Sequence, residues 1–184
     1  MSNASVFEGS DGVATELARG PWDPNALHGG AAADAGNGAL ADTPPPPGPA
    51  TGRPAKVNVP HRPMFAPDAI QIRFVDGEWA QGPCTAWFRL NAPIVAGEEP
   101  SPLERLVAAG DFGNGISATL SWDHYLFINP DLTLYIERAP VGEWIAVDAQ
   151  TIIPADGIGV SEGVLYDERG RVGRATQALF VAPR

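Results

Sequence analysis

Three polar side chains in the C-terminal half of the chain are candidates for one chemical site. Asp111 ends a predicted helix, where the helix dipole disfavours a carboxylate, so this position hints at acid–base function. Asn129 lies in a turn before a predicted strand, and Gln177 lies among apolar residues on the last predicted strand. A buried amide needs a hydrogen-bonding partner. If the mostly apolar face of that strand points inward, the three side chains can converge.

Each of these predictions has a simpler alternative. Asp111 could be a solvated residue at a helix end, without a chemical role. The register of the last strand could also be the opposite one, because the other face carries Val172 and Phe180. The residues alone leave both alternatives open.

The helix that carries Asp111 has three agreeing start signals. Ser101 suits the N-cap, Pro102 suits the first helical position, and Glu104 completes a capping box. Apolar and small residues then recur with helical spacing and predict one stripe that faces a core, at Leu103, Leu106, Val107 and Gly110. Gly113 and Gly115 follow and can stop the helix.

Alternating apolar residues predict two strands before this helix and four after it. The predicted strands cover residues 70–75, 85–90, 132–137, 144–153, 159–166 and 171–181. Consecutive hairpins imply a mostly antiparallel sheet, and one helix must cover its concave face. The sequence therefore predicts an α+β fold with a sheet wrapped around one central helix.

Composition divides the chain into three parts. Residues 1–40 hold short strand patterns and a helix start at Gly29 and Gly30, whose free N–H groups could receive an oxyanion or a phosphate. Residues 41–67 are proline-rich and predict a linker in polyproline II or disordered conformation. Residues 68–184 form the predicted folded body.

The charge balance excludes some partners. The formal net charge is −10, which argues against nucleic acid or an anionic membrane as the main partner. The chain has no long apolar run and no secretory leader pattern, so we expect a soluble cytoplasmic protein. Cys84 is the single cysteine, and its apolar neighbours predict a buried, unreactive thiol.

Other kinds of active site fit the sequence poorly. No G-x-S-x-G pattern occurs, and the three histidines stand in different segments, so a serine triad is unsupported. Asp123 and His124 could contribute to a metal site, but further ligands are missing and a surface pair is the simpler interpretation. We expect no metal site.

Several motifs together are typical of one known family. They cover residues 95–103, 111–115, 127–133, 142–144 and 165–174, with Gln177 beyond them. This pattern resembles the C-terminal half of the thioesterase II type of acyl-CoA thioesterases, which are double hot-dog proteins. The resemblance implies a water-activating trio that falls on Asp111, Asn129 and Gln177. Residues 19–30 are similar to the start of the family's first half, so residues 1–40 would be its remnant.

The resemblance also carries expectations about substrate and assembly. It implies hydrolysis of fatty acyl-CoA thioesters, for which we expect no metal or organic cofactor. Backbone N–H groups at the helix start near Gly29 and Gly30, from the same or a partner chain, would then bind the thioester oxygen. Because the first half is shortened, we expect a homo-oligomer in which two copies stand in for two halves. Two alternatives remain: a non-catalytic acyl-CoA binding or interaction module, and a hot-dog hydratase or dehydratase, which would need a catalytic histidine beside the aspartate.

Overall fold

The computed structural model describes residues 7–8, 13–14, 43–56, 65–154 and 157–184. The chain divides into two compact units, Met1–Ala41 and Asp42–Arg184. In the first unit, strands β1 (Phe7–Glu8) and β2 (Val13–Ala14) pair antiparallel. Gly29 and Gly30 lie outside the described residues, so the predicted helix start remains a prediction.

The described part of the second unit contains eight strands and two α-helices. In chain order they are β3 (Arg53–Pro54), β4 (Ile70–Asp76), β5 (Cys84–Leu90), α1 (Pro102–Gly110), α2 (Gly113–Ser117), β6 (Tyr125–Ile128), β7 (Thr133–Ile136), β8 (Ile145–Ile152), β9 (Ile158–Asp167) and β10 (Gly170–Pro183). A 3-10 turn at Pro49–Thr51 and a π-helical turn at Phe65–Ala69 precede β4. The six predicted strands are all present, whereas β3, β6 and α2 were not predicted.

All the strand pairs of the second unit are antiparallel. The order across the sheet is β3-β4-β5-β8-β9-β10-β6, and β7 also pairs with β10. Strand β10 pairs with β7 along its first half and with β6 along its second half, so these two short strands share one side of it. The predicted antiparallel sheet is confirmed.

Helix α1 begins as predicted but buries a different face. The Ser101 side chain accepts a hydrogen bond from the Glu104 backbone N–H, and the Glu104 carboxylate accepts one from the Ser101 N–H, which completes the capping box. The buried residues are Leu106, Ala109 and Gly110. The predicted stripe was wrong in part, because Leu103 is 50% and Val107 is 40% exposed.

The small residues at the end of α1 explain this rotation. A Cβ on Gly110 would lie 2.9 Å from Leu134 Cδ2 and 3.9 Å from Leu165 Cδ1. The glycine therefore lets the last turn of the helix approach the sheet closely. Because this turn makes the close contact, the face that includes Ala109 and Gly110 points to the sheet, and Leu103 and Val107 point away from it.

Strand β10 has the register that we favoured from the sequence. Ala175, Gln177 and Leu179 are buried, whereas Ala178 and Phe180 on the other face are exposed. The inward position of Gln177 is therefore confirmed. Its strand neighbours supply the apolar surroundings that make an unpaired amide costly.

Cys84 is buried, as predicted, on strand β5. Burial and, to a smaller extent, the nearby carboxylates of Asp148 and Asp76 together raise the pKa of this thiol to about 12. The thiolate is therefore scarce at neutral pH, which makes Cys84 a poor nucleophile.

The proline-rich segment contacts the sheet where it is described. Trp87 Nε1 donates a hydrogen bond to the carbonyl of Pro47 at 2.7 Å, and the Arg171 N–H donates to the carbonyl of Thr43 at 3.2 Å. Strand β3 extends the sheet by pairing with β4. Residues 43–56 are thus packed rather than free, and the boundaries that we assigned to the linker and the body stay a prediction.

The described helices are all too short or too polar to cross a lipid bilayer.

Candidate active site

Asp111 lies at the junction between the two helices. It is the C-cap of α1 and has a helical backbone conformation, with φ −71° and ψ −16°. Its backbone N–H still donates to the carbonyls of Val107 and Ala109, so the residue is held as a continuation of the helix. The side chain is exposed, and α2 begins two residues later.

The three side chains singled out in the sequence meet at one carboxylate oxygen. Asn129 Nδ2 donates to Asp111 Oδ1 at 2.9 Å. Gln177 Nε2 donates to the same Oδ1 at 3.2 Å and to the backbone carbonyl of Asp111 at 3.0 Å. The chain thus brings together residues from a helix end, a turn and a buried strand position. Two amide donors fix the orientation of the carboxylate.

The amide of Gln177 can point only one way. Its Oε1 accepts a hydrogen bond from the Asn114 backbone N–H at 2.9 Å, so Oε1 must face helix α2. The Nε2 group must then face Asp111, and both of its protons are used there. Gln177 is 1% exposed, yet its donors and its acceptor are all paired.

Asn129 reaches Asp111 because it lies outside the strand ladder. Strand β6 ends at Ile128, and β7 begins only at Thr133. Between them the Asn129 side chain turns toward α1, and its Nδ2 also lies 3.4 Å from the carbonyl of Asp131. A side chain within an ordinary strand would point to one face of the sheet and would lack this freedom.

Two oxygens of the trio have no hydrogen-bond donor in the part of the chain that the structure describes. No described residue donates a hydrogen bond to Asp111 Oδ2 or to Asn129 Oδ1, while Asp111 Oδ1 receives two bonds. Because Asp111 is exposed and Asn129 is partly exposed, water can reach both free oxygens. The arrangement can hold a water molecule between a carboxylate oxygen and an amide oxygen, with the carboxylate oriented to accept its proton.

A row of buried polar side chains continues from Gln177 beneath helix α2. Ser161 and Thr151 are neighbours of Gln177 across β9 and β8, and both are buried. Thr151 Oγ1 and Ser117 Oγ lie 2.7 Å apart, and Ser117 Oγ donates to the carbonyl of Gly113. Gln177 and Thr151 attach α2 to the sheet through hydrogen bonds, whereas the buried Ser161 hydroxyl between them has no partner among the described residues.

These supporting residues were not predicted from the sequence. Thr151 and Ser161 occupy inward positions in their strands, as Gln177 does, so the same alternation argument could have found them. Asn114 lies between two glycines and carried no pattern. Its side-chain Nδ2 donates to the Phe127 carbonyl at 3.3 Å, which joins α2 to the strand that precedes Asn129.

The rival metal site gains no support from the geometry. Among the described residues, no three His, Cys, Asp or Glu side chains lie close enough together to hold a metal ion. Asp123 and His124 are both exposed. Gly29 and Gly30, the expected donors to a thioester oxygen, lie outside the described residues.

One family model matches most of the chain. It describes the acyl-CoA thioesterase C-terminal domain, and it matches residues 37–181, which include α1, α2 and strands β3 to β9. The chain belongs to this family. The resemblance that the motifs indicated is therefore confirmed. No curated protein matches the sequence.

Several solved structures are similar to this chain. A putative thioesterase II from Thermobifida fusca YX has 19% identity and a TM-score of 0.57, and the match covers 78% of this chain and 57% of that one. A putative thioesterase from Novosphingobium aromaticivorans has 21% identity and a TM-score of 0.49, with 77% and 54% covered. The acyl-CoA thioesterase II TesB2 from Mycobacterium marinum has 16% identity and a TM-score of 0.46, with 71% and 60% covered.

The Thermobifida fusca structure and the family match confirm the predicted fold, an α+β hot-dog fold in which an antiparallel sheet surrounds one main helix. The match covers little more than half of that solved chain, 57%. The family model therefore shows the family, and the Thermobifida fusca structure shows the fold.

Proposed function

We propose that this protein hydrolyses fatty acyl-CoA thioesters with a water molecule activated by Asp111. The observation that carries the proposal is the asymmetric use of the carboxylate: Oδ1 accepts from Asn129 and Gln177, and Oδ2 accepts from no described residue. A general base needs a fixed orientation and one free lone pair. Asp111 has both.

The proposed reaction proceeds in two steps. A water molecule transfers one proton to Asp111 Oδ2 while its second hydrogen donates a hydrogen bond to Asn129 Oδ1. The water oxygen attacks the thioester carbonyl carbon. The tetrahedral intermediate carries the negative charge on the former carbonyl oxygen, where backbone N–H groups lower its energy. The C–S bond then breaks, the carbonyl re-forms, and the departing CoA thiolate takes the proton from Asp111. The products are a carboxylic acid and CoA.

Gln177 has a different task from Asn129 in this proposal. Both of its Nε2 protons are bonded to Asp111, so it holds the carboxylate rather than the water. Asn129 uses Nδ2 to hold the carboxylate and keeps Oδ1 for the water. Gly29 and Gly30 stay our proposed source of N–H donors for the thioester oxygen. The chemistry requires no metal or organic cofactor, because water is the nucleophile and the carboxylate is the base.

We also propose that the active protein is a homo-oligomer. Strand β6 follows β10 at one end of the sheet order, and the side chains of Tyr125 and Ile128 on it are partly or largely exposed. Exposed strand edges favour pairing with another strand. The trio lies directly beside this edge, because Asn129 follows the last residue of β6.

The proposed function is tested by measuring thiol release from fatty acyl-CoA by the full-length chain. We expect steady release with both CoA and the free acid as products. Calorimetric binding of acyl-CoA without thiol release would favour the alternative of a binding module. Hydration of an enoyl-CoA without hydrolysis would favour a hydratase. Either result would overturn the proposed hydrolysis.

A further inference from the structure

The segment between β6 and β7 has a second acidic residue that the proposed mechanism does not use. Asp131 lies in the turn that carries Asn129, and it is exposed. Its side chain nevertheless makes a short hydrogen bond, because Asp131 Oδ1 accepts from the Ala178 backbone N–H at 2.7 Å. Ala178 is the residue next to Gln177 on β10.

This bond fills a gap in the strand ladder. Strand β7 pairs with β10 as far as Thr176, and β6 pairs with it from Phe180 onward. Four residues, 129–132, therefore stand opposite three, 177–179, and regular pairing cannot continue across the mismatch. The Ala178 N–H lies in the middle of the gap and takes the Asp131 carboxylate as its acceptor in place of a backbone carbonyl.

Asp131 also contacts Asn129 directly. Its backbone carbonyl lies 3.4 Å from Asn129 Nδ2, the group that donates to Asp111. One residue thus fastens the turn to β10 beside Gln177 through its side chain and receives the Asn129 amide through its main chain. Both contacts favour the orientation in which Asn129 Oδ1 is left free.

We propose that Asp131 is a positioning residue that holds the turn bearing Asn129 against β10 and so aims the Asn129 amide at Asp111. The proposal rests on the hydrolytic function proposed above. Asp131 needs a hydrogen-bond acceptor for this role and does not need a negative charge, because its partner is the neutral N–H group of Ala178. Asp131 therefore differs from Asp111, whose carboxylate must accept a proton.

Three full-length variants test this assignment in the thiol-release assay. Asp131→Ala removes the acceptor, and we expect kcat to fall at least about tenfold with little change in KM, since small misplacements of a positioned group cost rate. Asp131→Asn keeps an acceptor oxygen and should restore most of the rate. Asp123→Ala removes another exposed carboxylate of the same domain and should leave kcat unchanged.

Two kinetic results would overturn the proposal. If Asp131→Ala matches Asp123→Ala, the contact has no effect on the reaction. If Asp131→Asn is as impaired as Asp131→Ala, the charge is required and Asp131 acts in another way.

A measurement without turnover separates this proposal from the proposed function. Hydrogen exchange of the Ala178 amide and the NMR signals of the Asn129 side-chain NH₂ group report the two contacts directly. We expect faster exchange and shifted signals in Asp131→Ala only. Unchanged exchange and signals would overturn the positioning role even in an active enzyme. If the wild type lacks thioesterase activity, the proposed function fails, and these signals alone decide whether Asp131 positions the Asn129 amide.

Discussion

Gln177 and Asn129 both bind Asp111, but they differ in burial and in how many of their amide atoms are hydrogen-bonded. Gln177 is buried, and its amide is fully paired between Asp111 and Asn114. Asn129 is partly exposed, and its amide oxygen is free to meet a ligand. The buried amide can thus fix the geometry while the exposed one contacts the water. Substitutions of Gln177 should therefore lower stability as well as turnover, whereas substitutions of Asn129 should mainly lower turnover.

Because every polar atom of the Gln177 amide is hydrogen-bonded, we expect the replacement of its nitrogen by oxygen to lower the stability of the fold. Gln177→Glu replaces Nε2 by oxygen, which then faces the carbonyl and the carboxylate of Asp111. We expect a loss of about 2–3 kcal/mol in the free energy of unfolding, because a buried donor is replaced by a repelled acceptor. Urea denaturation measures the loss.

The control for this change is Gln71→Glu. Gln71 Oε1 already accepts a hydrogen bond from Arg89 Nη2, so a carboxylate there keeps its donor. Stability should stay within about 0.5 kcal/mol of the wild type. Equal stability of the two variants would contradict the hydrogen-bonding assigned to Gln177.

Ionisation of the Asp167 carboxyl group stabilises the fold. Burial alone would raise the pKa of its carboxyl, but hydrogen bonds from Arg138 and from the N–H groups of Val141 and Arg169 hold the pKa below its ordinary value. The Arg138 contact is bidentate, at 2.5 and 2.6 Å. Since the folded pKa lies below the unfolded one, this stabilisation is present at neutral pH and is lost as the pH falls through the folded pKa.

Asp167→Asn should cost about 3 kcal/mol of unfolding free energy at pH 7, because it leaves the guanidinium of Arg138 without its counter-charge. The difference from the wild type should shrink below the ordinary carboxyl pKa of about 4. Glu78→Gln, which breaks the exposed pair with Arg53, should cost less than about 1 kcal/mol. Urea denaturation of both variants at pH 7 and at a pH below about 4 measures these differences. If Asp167→Asn costs as little as Glu78→Gln at pH 7, ionised Asp167 does not stabilise the fold.

Two of the three site residues lie at junctions between elements, and only Gln177 lies within a strand. Asp111 lies between two helices, and Asn129 lies between two strands that share one side of β10. A single continuous strand in place of β6 and β7 would have kept Asn129 in the ladder. The strands and α1 therefore position the site, and the breaks between elements place Asp111 and Asn129 beside Gln177.

The inward position of Gln177 on β10 could be predicted because Ala175 and Leu179 share its face while Arg174 and Thr176 lie on the other. The alternation does not extend to Val172 and Gly173, which are both buried where the register shifts. Strand β6 could not be predicted because its four residues, Tyr125–Ile128, are uniformly apolar and have no period. Helix α2 contains two glycines and has low helix propensity, so it depends on tertiary contacts: its hydrogen bonds to Gln177 and Thr151 and the burial of Ile116. Convergence of the trio could be inferred, but the support from Asn114 and Asp131 depends on long-range contacts.

Because β7 lies close to β10, we expect Gly173 to tolerate no larger residue. A Cβ at Gly173 would lie 2.2 Å from the backbone carbonyl oxygen of Tyr135, so the strand would have to shift. We expect Gly173→Ala to cost at least about 2 kcal/mol in unfolding free energy.

Gly115→Ala is the matched change, because a Cβ there meets no atom within 4 Å and the residue is helical. Its effect should be neutral or stabilising. Thermal or urea unfolding compares the two alanine variants. A harmless Gly173→Ala would show that β7 is not packed against β10 as described.

At the scale of the molecule, the two ends of the sheet differ. Strand β3 is two residues long and contains Pro54, which limits further pairing there. Strand β6 at the other end shows an Ile128 side chain that is 54% exposed. If two copies assemble, the β6 end is the better candidate for the contact.

Light scattering should therefore give at least twice the chain mass of 19.3 kDa at micromolar concentration. Ile128→Lys should shift the protein toward monomer, since an edge lysine opposes strand pairing. Val95→Lys changes an exposed apolar residue of a loop and should leave the mass unchanged. A monomeric wild type would contradict the proposed assembly.

In the proposed mechanism, Asp111 takes a proton from the attacking water. Asp111→Asn keeps the shape of the side chain and an oxygen that can face Asn129 and Gln177, but it removes the base. We predict that kcat for acyl-CoA hydrolysis falls by about 10²–10⁴ while calorimetric affinity for the substrate and the melting temperature are retained. An Asp111→Asn protein that hydrolyses acyl-CoA at the wild-type rate would contradict this mechanism.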